Sequence, residues 1–167
     1  MISGPFTDIF KQDYTSLGEP GSHLAVSYSW GVNEHDEREI LRVTIINEAG
    51  QLVFDSIIQP TKSIKHVPLY NMYLFDPSFG IPLKYLSIVL SQIFEKRIII
   101  GFQMNKLLEM LNLQSVYQTR DIMVHPDIGA NQTPSNIAKT FFDLRLDPYF
   151  RSTITEARLF MAIYKNF

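Results

Sequence analysis

Three segments early in the chain alternate as half-buried strands do: "HLAVSYSW" (23–30), "ILRVTIIN" (40–47) and "LVFDSIIQ" (52–59), each rich in β-branched and aromatic residues. Between the second and third, "NEAGQ" supplies Asn47 and Gly50 for a tight turn, so these two strands are expected to pair as a hairpin. After Pro60 the period lengthens. Pro82 predicts the first position of a helix, in which Leu83, Leu86, Leu90 and Ile93 recur on one face. "RIIIGF" is a continuous apolar run, as expected of a strand covered on both sides. Met104, Leu107, Leu108 and Leu111 then mark a short amphipathic helix, and "VYQTRDIMV" a further strand. Thr133 with Pro134 caps the next helix, whose inner stripe is Ile137, Phe141 and Leu144. The last helix is expected to begin near Thr153, with Glu156 as its capping partner, and to bury Ala157, Phe160, Met161 and Tyr164. The order βββαβαβαα predicts a mixed α/β domain, a central mixed β-sheet flanked by helices. Residues 1–22, with "SLGEPGS", read as a lead-in, and residues 23–167 as a single domain.

Composition narrows the chemistry more than the fold. A formal net charge of −2 supplies no bulk positive field, so any nucleic-acid binding must be local. The absence of cysteine removes disulfides, thiolate metal sites and a thiol nucleophile. "MISGPFTDIF" has neither the basic region nor the apolar run of a secretory signal, and no stretch approaches the roughly 20 apolar residues of a membrane span. The expectation is an intracellular protein, nuclear or cytoplasmic, without membrane contact. His23, His35, His66 and His125 are scattered, with no helical pair to hold a metal. In "NEHDERE" (33–39), His35, Asp36 and Glu37 are adjacent and point in different directions, which favours a solvated loop over a metal cluster. Neither a glycine-rich phosphate loop nor a G-x-S-x-G elbow occurs. Asp121, Asp143 and Asp147 remain as acids from which a site might be assembled elsewhere, although Asp147 before Pro148 reads more naturally as a turn.

The element order and several strings together resemble the ribonuclease H-like fold of DnaQ-type 3′-to-5′ exonucleases, and within them the RNA exonucleases of the Rex and interferon-stimulated group. "LRVTIINEAGQLVFDSIIQP" is similar to that group's second and third strands. "IFEKRIIIGFQMNKLLEML" resembles its helix, its buried strand ending in glycine and the helix that follows. "TRD" (119–121) resembles its next strand, and "RSTITEARLFMAIY" its closing helix. The resemblance implies a site in which four carboxylates hold two divalent ions about 4 Å apart and a histidine acts as general base. Carried over position by position, the Asp-x-Glu pair of the first strand falls on Ser27 and Ser29, and the next aspartate on Leu107. The histidine falls on Arg151 and the last carboxylate on Glu156. Hydroxyls are weak ligands for hard cations, and an arginine stays protonated, so the resemblance implies a degenerate member that lacks most of the catalytic residues, with only the carboxylate at Glu156 retained in kind, and that holds no metal. Plainer readings stand beside this one. Ser27 and Ser29 would then be ordinary outward-facing strand positions, Leu107 core, Glu156 a helix cap, and Arg151 a solvent-facing residue, a partner of Glu156 or a phosphate ligand.

The expected function is therefore a catalytically inactive exonuclease-like domain serving as a protein-interaction scaffold, in an RNA-processing or RNA-silencing assembly. A protein partner is expected and self-association stays open. The aromatic stretch at 66–80, with Tyr70, Tyr73, Phe75 and Phe79, is either its contact surface or a covering loop that buries those rings. The first alternative is an RNA- or DNA-binding module without catalysis, in which Lys106 and Arg151 attract phosphates and binding is weak. The second is an active exoribonuclease with a rearranged site, the one case in which Mg²⁺ or Mn²⁺ would serve as cofactor.

Overall fold

A computed structural model describes residues 17–67, 80–113, 117–124, 128, 133–146 and 152–166. β1 (His23–Asn33) is the axis of the sheet. β2 (Arg38–Asn47) lies antiparallel along it from Leu24 to Val32, and β3 (Leu52–Gln59) lies antiparallel to β2. The β2–β3 turn is the one read from "NEAGQ": the Gly50 N–H donates to the Asn47 carbonyl at 3.0 Å, and Gly50 takes a φ of 82°, which a glycine adopts without strain. On its other edge β1 carries β6 (Ile98–Gly101), parallel, with β7 (Gln118–Asp121) parallel beyond it. The sheet is thus mixed, as expected, with β1 and β6 inside it and mostly buried.

Two short strands were not visible in the pattern. β4 (Ile64–His66) pairs with the far end of β1, and β5 (Ile81–Pro82) with the end of β3. Segments of three and two residues carry no period to read. Because Pro82 ends β5 in an extended conformation, it precedes α1 (Leu83–Phe94) and is not the helix's first residue. The strand expected over 116–124 shortens to β7, since Ile122–Val124 turn into a 3-10 helix. The polar loop read at 33–39 is only residues 34–37. Asn33 is the buried end of β1, where its Oδ1 accepts from the N–H groups of His35 and Glu37 and so closes the turn. Two of the acids of that loop face lysines, Asp36 with Lys65 and Glu37 with Lys62, the latter at 2.6 Å.

Strand alternation divides the core into two apolar layers. On one face Leu24, Val26, Tyr28, Val43, Ile45 and Ile99 meet α1 and α2 (Met104–Met110), including Leu86, Leu90, Phe94, Met104, Leu107 and Leu108. On the other, Ala25, Ile46 and Ile100 meet α3 (Pro134–Phe142) and α4 (Thr153–Asn166). Thr133 caps α3 as expected, accepting from the Asn136 N–H at 3.2 Å. The inner stripe of α3 differs: Ile137, Ala138 and Phe142 are buried, Phe141 is partly buried, and Leu144 lies beyond the helix, which stops at a left-handed Asp143. α4 is buried from Glu156 to Ile163 on every side, whereas an amphipathic stripe was expected. α2 starts from a left-handed Gln103 that makes no side-chain cap; Asp121 of β7 caps it instead, accepting from the Met104 N–H at 3.1 Å.

Ahead of β1, Leu17 bridges to Leu52 and the Gly18 N–H donates to the Leu52 carbonyl at 2.7 Å. No helix among the described residues is long and apolar enough to cross a membrane.

Candidate functional site

The face of the sheet beneath α4 carries a polar row. Ser27 and Ser29 on β1, Arg42 and Thr44 on β2 and Asp55 on β3 are brought together by register, with Ser27 opposite Thr44, Ser29 opposite Arg42, and Thr44 opposite Asp55. Ser27 and Ser29 are 1% and 3% exposed, so they are not outward-facing positions. A β-bulge follows Ser29, between it and Trp30.

α4 lays two polar side chains on this row. The Ser27 hydroxyl donates to Glu156 Oε2 at 2.8 Å, and the hydroxyls of Thr44 and Thr153 lie 2.6 Å apart. Glu156 is 5% exposed and Thr153 1%. The helix cap explains why both point inward. Ser152 is the N-cap: its carbonyl accepts from the Glu156 N–H at 3.1 Å and its hydroxyl from the Thr155 N–H at 3.2 Å. A capping box on Ser152 would need its acid at 155, which is a threonine, so the expected Thr153–Glu156 box does not form. The frame sits one residue earlier than the sequence suggested, and the Glu156 side chain meets Ser27 of β1.

Asp55 anchors the other end of the row. Arg42 holds it through two hydrogen bonds, Nε to Oδ1 at 2.9 Å and Nη2 to Oδ2 at 2.6 Å, and the Thr44 hydroxyl adds a third at 2.9 Å. Hydrogen bonding to Asp55 is the largest influence on the Arg42 guanidinium and raises its pKa, against the opposing effect of burial. Arg158, 1% exposed, donates from Nε to the Gly50 carbonyl at 3.0 Å and ties α4 to the β2–β3 turn. Sequence reasoning passed over Arg42, Thr44, Asp55, Thr153 and Arg158. The available signal was that positions 42 and 44 share the parity of a strand face, which only the pairing register aligns with 27 and 29.

Leu107 does not join this row. It is fully buried in the apolar layer under α1 and α2, on the side of β1 that carries Val26 and Tyr28. Lys106, next to it, is exposed on α2. Arg151, Tyr70, Tyr73, Phe75 and Phe79 lie outside the described residues, as do His125 and Asp147. Asp121 is committed as the cap of α2, its second oxygen accepting from the Met123 N–H at 3.0 Å.

The residues of the row do not fit a pair of divalent ions. Two such ions need several carboxylates converging on one point. Glu156 is one carboxylate and already accepts from Ser27, while Asp55 is held by Arg42 and Thr44. Among the described residues no group of three or more His, Cys, Asp or Glu side chains converges to hold a metal.

No family model matches the sequence, and no curated protein matches it. Solved structures do match by shape. The Saccharomyces cerevisiae apo Pan2 pseudoubiquitin hydrolase-RNA exonuclease module superposes with a TM-score of 0.72 at 14% identity, over 95% of this chain and 32% of that one. The same module in complex with A7 RNA gives the same values. The Neurospora crassa Pan2 catalytic unit, with protease and nuclease domains, gives a TM-score of 0.68 at 14% identity, over 92% of this chain and 28% of that one. The chain therefore spans about a third of those proteins. What it shares with them is architecture: a ribonuclease H-like fold, with a central mixed sheet between helical layers.

Proposed function

We propose that this domain is a catalytically inactive exonuclease-like fold that serves as a protein-interaction scaffold in an RNA-processing or RNA-silencing assembly, in the nucleus or cytoplasm. The observation that carries the proposal is the polar row beneath α4. Where a metal-dependent nuclease of this architecture needs converging carboxylates, Glu156 bonds to the Ser27 hydroxyl and Leu107 belongs to the opposite apolar layer. Ser27, Ser29, Leu107, Arg151 and Glu156 are the degenerate positions of this reading, which makes the Rex and interferon-stimulated group the source of the fold and not of the activity. Incubating the protein with single-stranded RNA in Mg²⁺ and in Mn²⁺ tests it. The RNA is expected to stay at full length, whereas shortening from the 3′ end that Glu156→Ala abolishes would establish an active enzyme. A strictly monomeric protein that retains no partner would count against the scaffold role.

RNA binding without cleavage is the second reading, supported by the RNA-bound Pan2 modules of the same architecture and by the exposed Lys106. It requires a rise in the anisotropy of labelled RNA at low salt, falling steeply as salt is added.

A further inference from the structure

Two side-chain hydrogen bonds join the polar row of the sheet to α4. Ser27 and Thr44 are cross-strand partners on β1 and β2, and Thr153 and Glu156 stand three residues apart on one face of α4. Each sheet residue is bonded to one helix residue, Ser27 to Glu156 at 2.8 Å and Thr44 to Thr153 at 2.6 Å, and all four are at least nine-tenths buried. We infer that the Ser27–Glu156 bond is a metal-free latch fastening the first strand to the last helix, doing here what a cation shared between two carboxylates would do. The chemistry is that of a charge-assisted hydrogen bond. The Ser27 hydroxyl donates to Glu156 Oε2, and hydrogen bonds to a carboxylate are roughly twice as strong as neutral ones. A cation at that point would require the hydroxyl to turn away and a second acid to replace it. The inference rests on reading the site as one that holds no divalent ion.

Thermal unfolding of the full chain tests the latch in excess EDTA and in excess Mn²⁺, with hydrogen exchange of the α4 amides as the local readout. The wild-type melting temperature is expected to be the same in both conditions. Ser27→Ala removes the donor with little change in volume and is expected to lower it by about 5 °C in both, with exchange quickened first in the opening turns of α4. Ser27→Asp places two carboxylates in contact; it is expected to melt below Ser27→Ala in EDTA and to recover at least half of the loss in Mn²⁺. A wild-type melting temperature that rises with Mn²⁺ would overturn the latch by revealing a cation site. So would Ser27→Ala melting with the wild type, or Ser27→Asp showing no response to Mn²⁺. An intact RNA substrate together with a neutral Ser27→Ala would remove the latch and leave the non-catalytic reading standing. RNA cleavage together with the expected melting shifts would do the reverse.

Discussion

Val26 and Ser27 are neighbours on one strand, yet their side chains enter two chemistries. Val26 belongs to an apolar layer with Leu86, Leu90, Phe94, Met104, Leu107 and Leu108. Ser27 faces a layer in which Ser29, Thr44, Thr153, Glu156 and Arg158 are all buried beside Phe160 and Met161. The hydrocarbon layer rests mainly on shape and volume, with the Tyr28 hydroxyl donating to the Gln103 carbonyl at 3.2 Å. The polar layer needs every donor and acceptor matched, because an unmet buried polar group costs about 1–3 kcal/mol. The first therefore tolerates hydrophobic exchange and the second does not, which makes the polar layer the more specific half of the core.

Leu107→Asp would break this comparison most forcefully. In the hydrocarbon layer an aspartate has no partner, and the expected cost is about 4 kcal/mol, read as a fall in the urea midpoint or as loss of cooperative unfolding. A variant as stable as the wild type would show that position 107 opens onto the polar layer after all. Thr44→Val is expected to have a smaller effect, about 2 kcal/mol in the same assay. It keeps the shape but removes the bonds to Asp55 and Thr153. Neutrality there would show that the polar layer is as permissive as the other. Lys62→Ala, at the loop outside both layers, is expected to have the smallest effect. The Lys62 hydrogen bond is the leading cause that lowers the Glu37 pKa. The pair's contribution is thus present above the ordinary carboxylate range and lost as pH falls through the lowered value. Wild type and Lys62→Ala should differ slightly in melting temperature at neutral pH and coincide in acid.

The two layers were also unequally legible. Leu86, Leu90, Met104, Leu107 and Leu108 announce their helices by period, and "RIIIGF" its strand by an unbroken apolar run, because burial against hydrocarbon leaves a mark at every contributing position. The polar layer leaves none. Arg42, Thr44 and Arg158 are residue types ordinarily found in water, and what buries them is partners far away in sequence: Asp55 across a hairpin, Thr153 more than a hundred residues on, and the carbonyl of Gly50. The cap at Ser152 shows the same limit at short range. "RSTITE" offers two frames for a capping motif, and the geometry of Glu156 against Ser27 accompanies the earlier one. β4 and β5 were lost for a third reason, since strands of three and two residues exist only through their neighbours.

The cap of α2 bears on the order in which the chain assembles. A helix of seven residues is unstable in isolation, because nucleation is not repaid over so short a length. α2 also starts from a left-handed Gln103 with no cap of its own, and the carboxylate that satisfies its first amide belongs to Asp121, which reaches it only when β7 pairs with β6. Helix and edge strand therefore form as one cooperative unit, so that local opening of β7 takes the first turn of α2 with it.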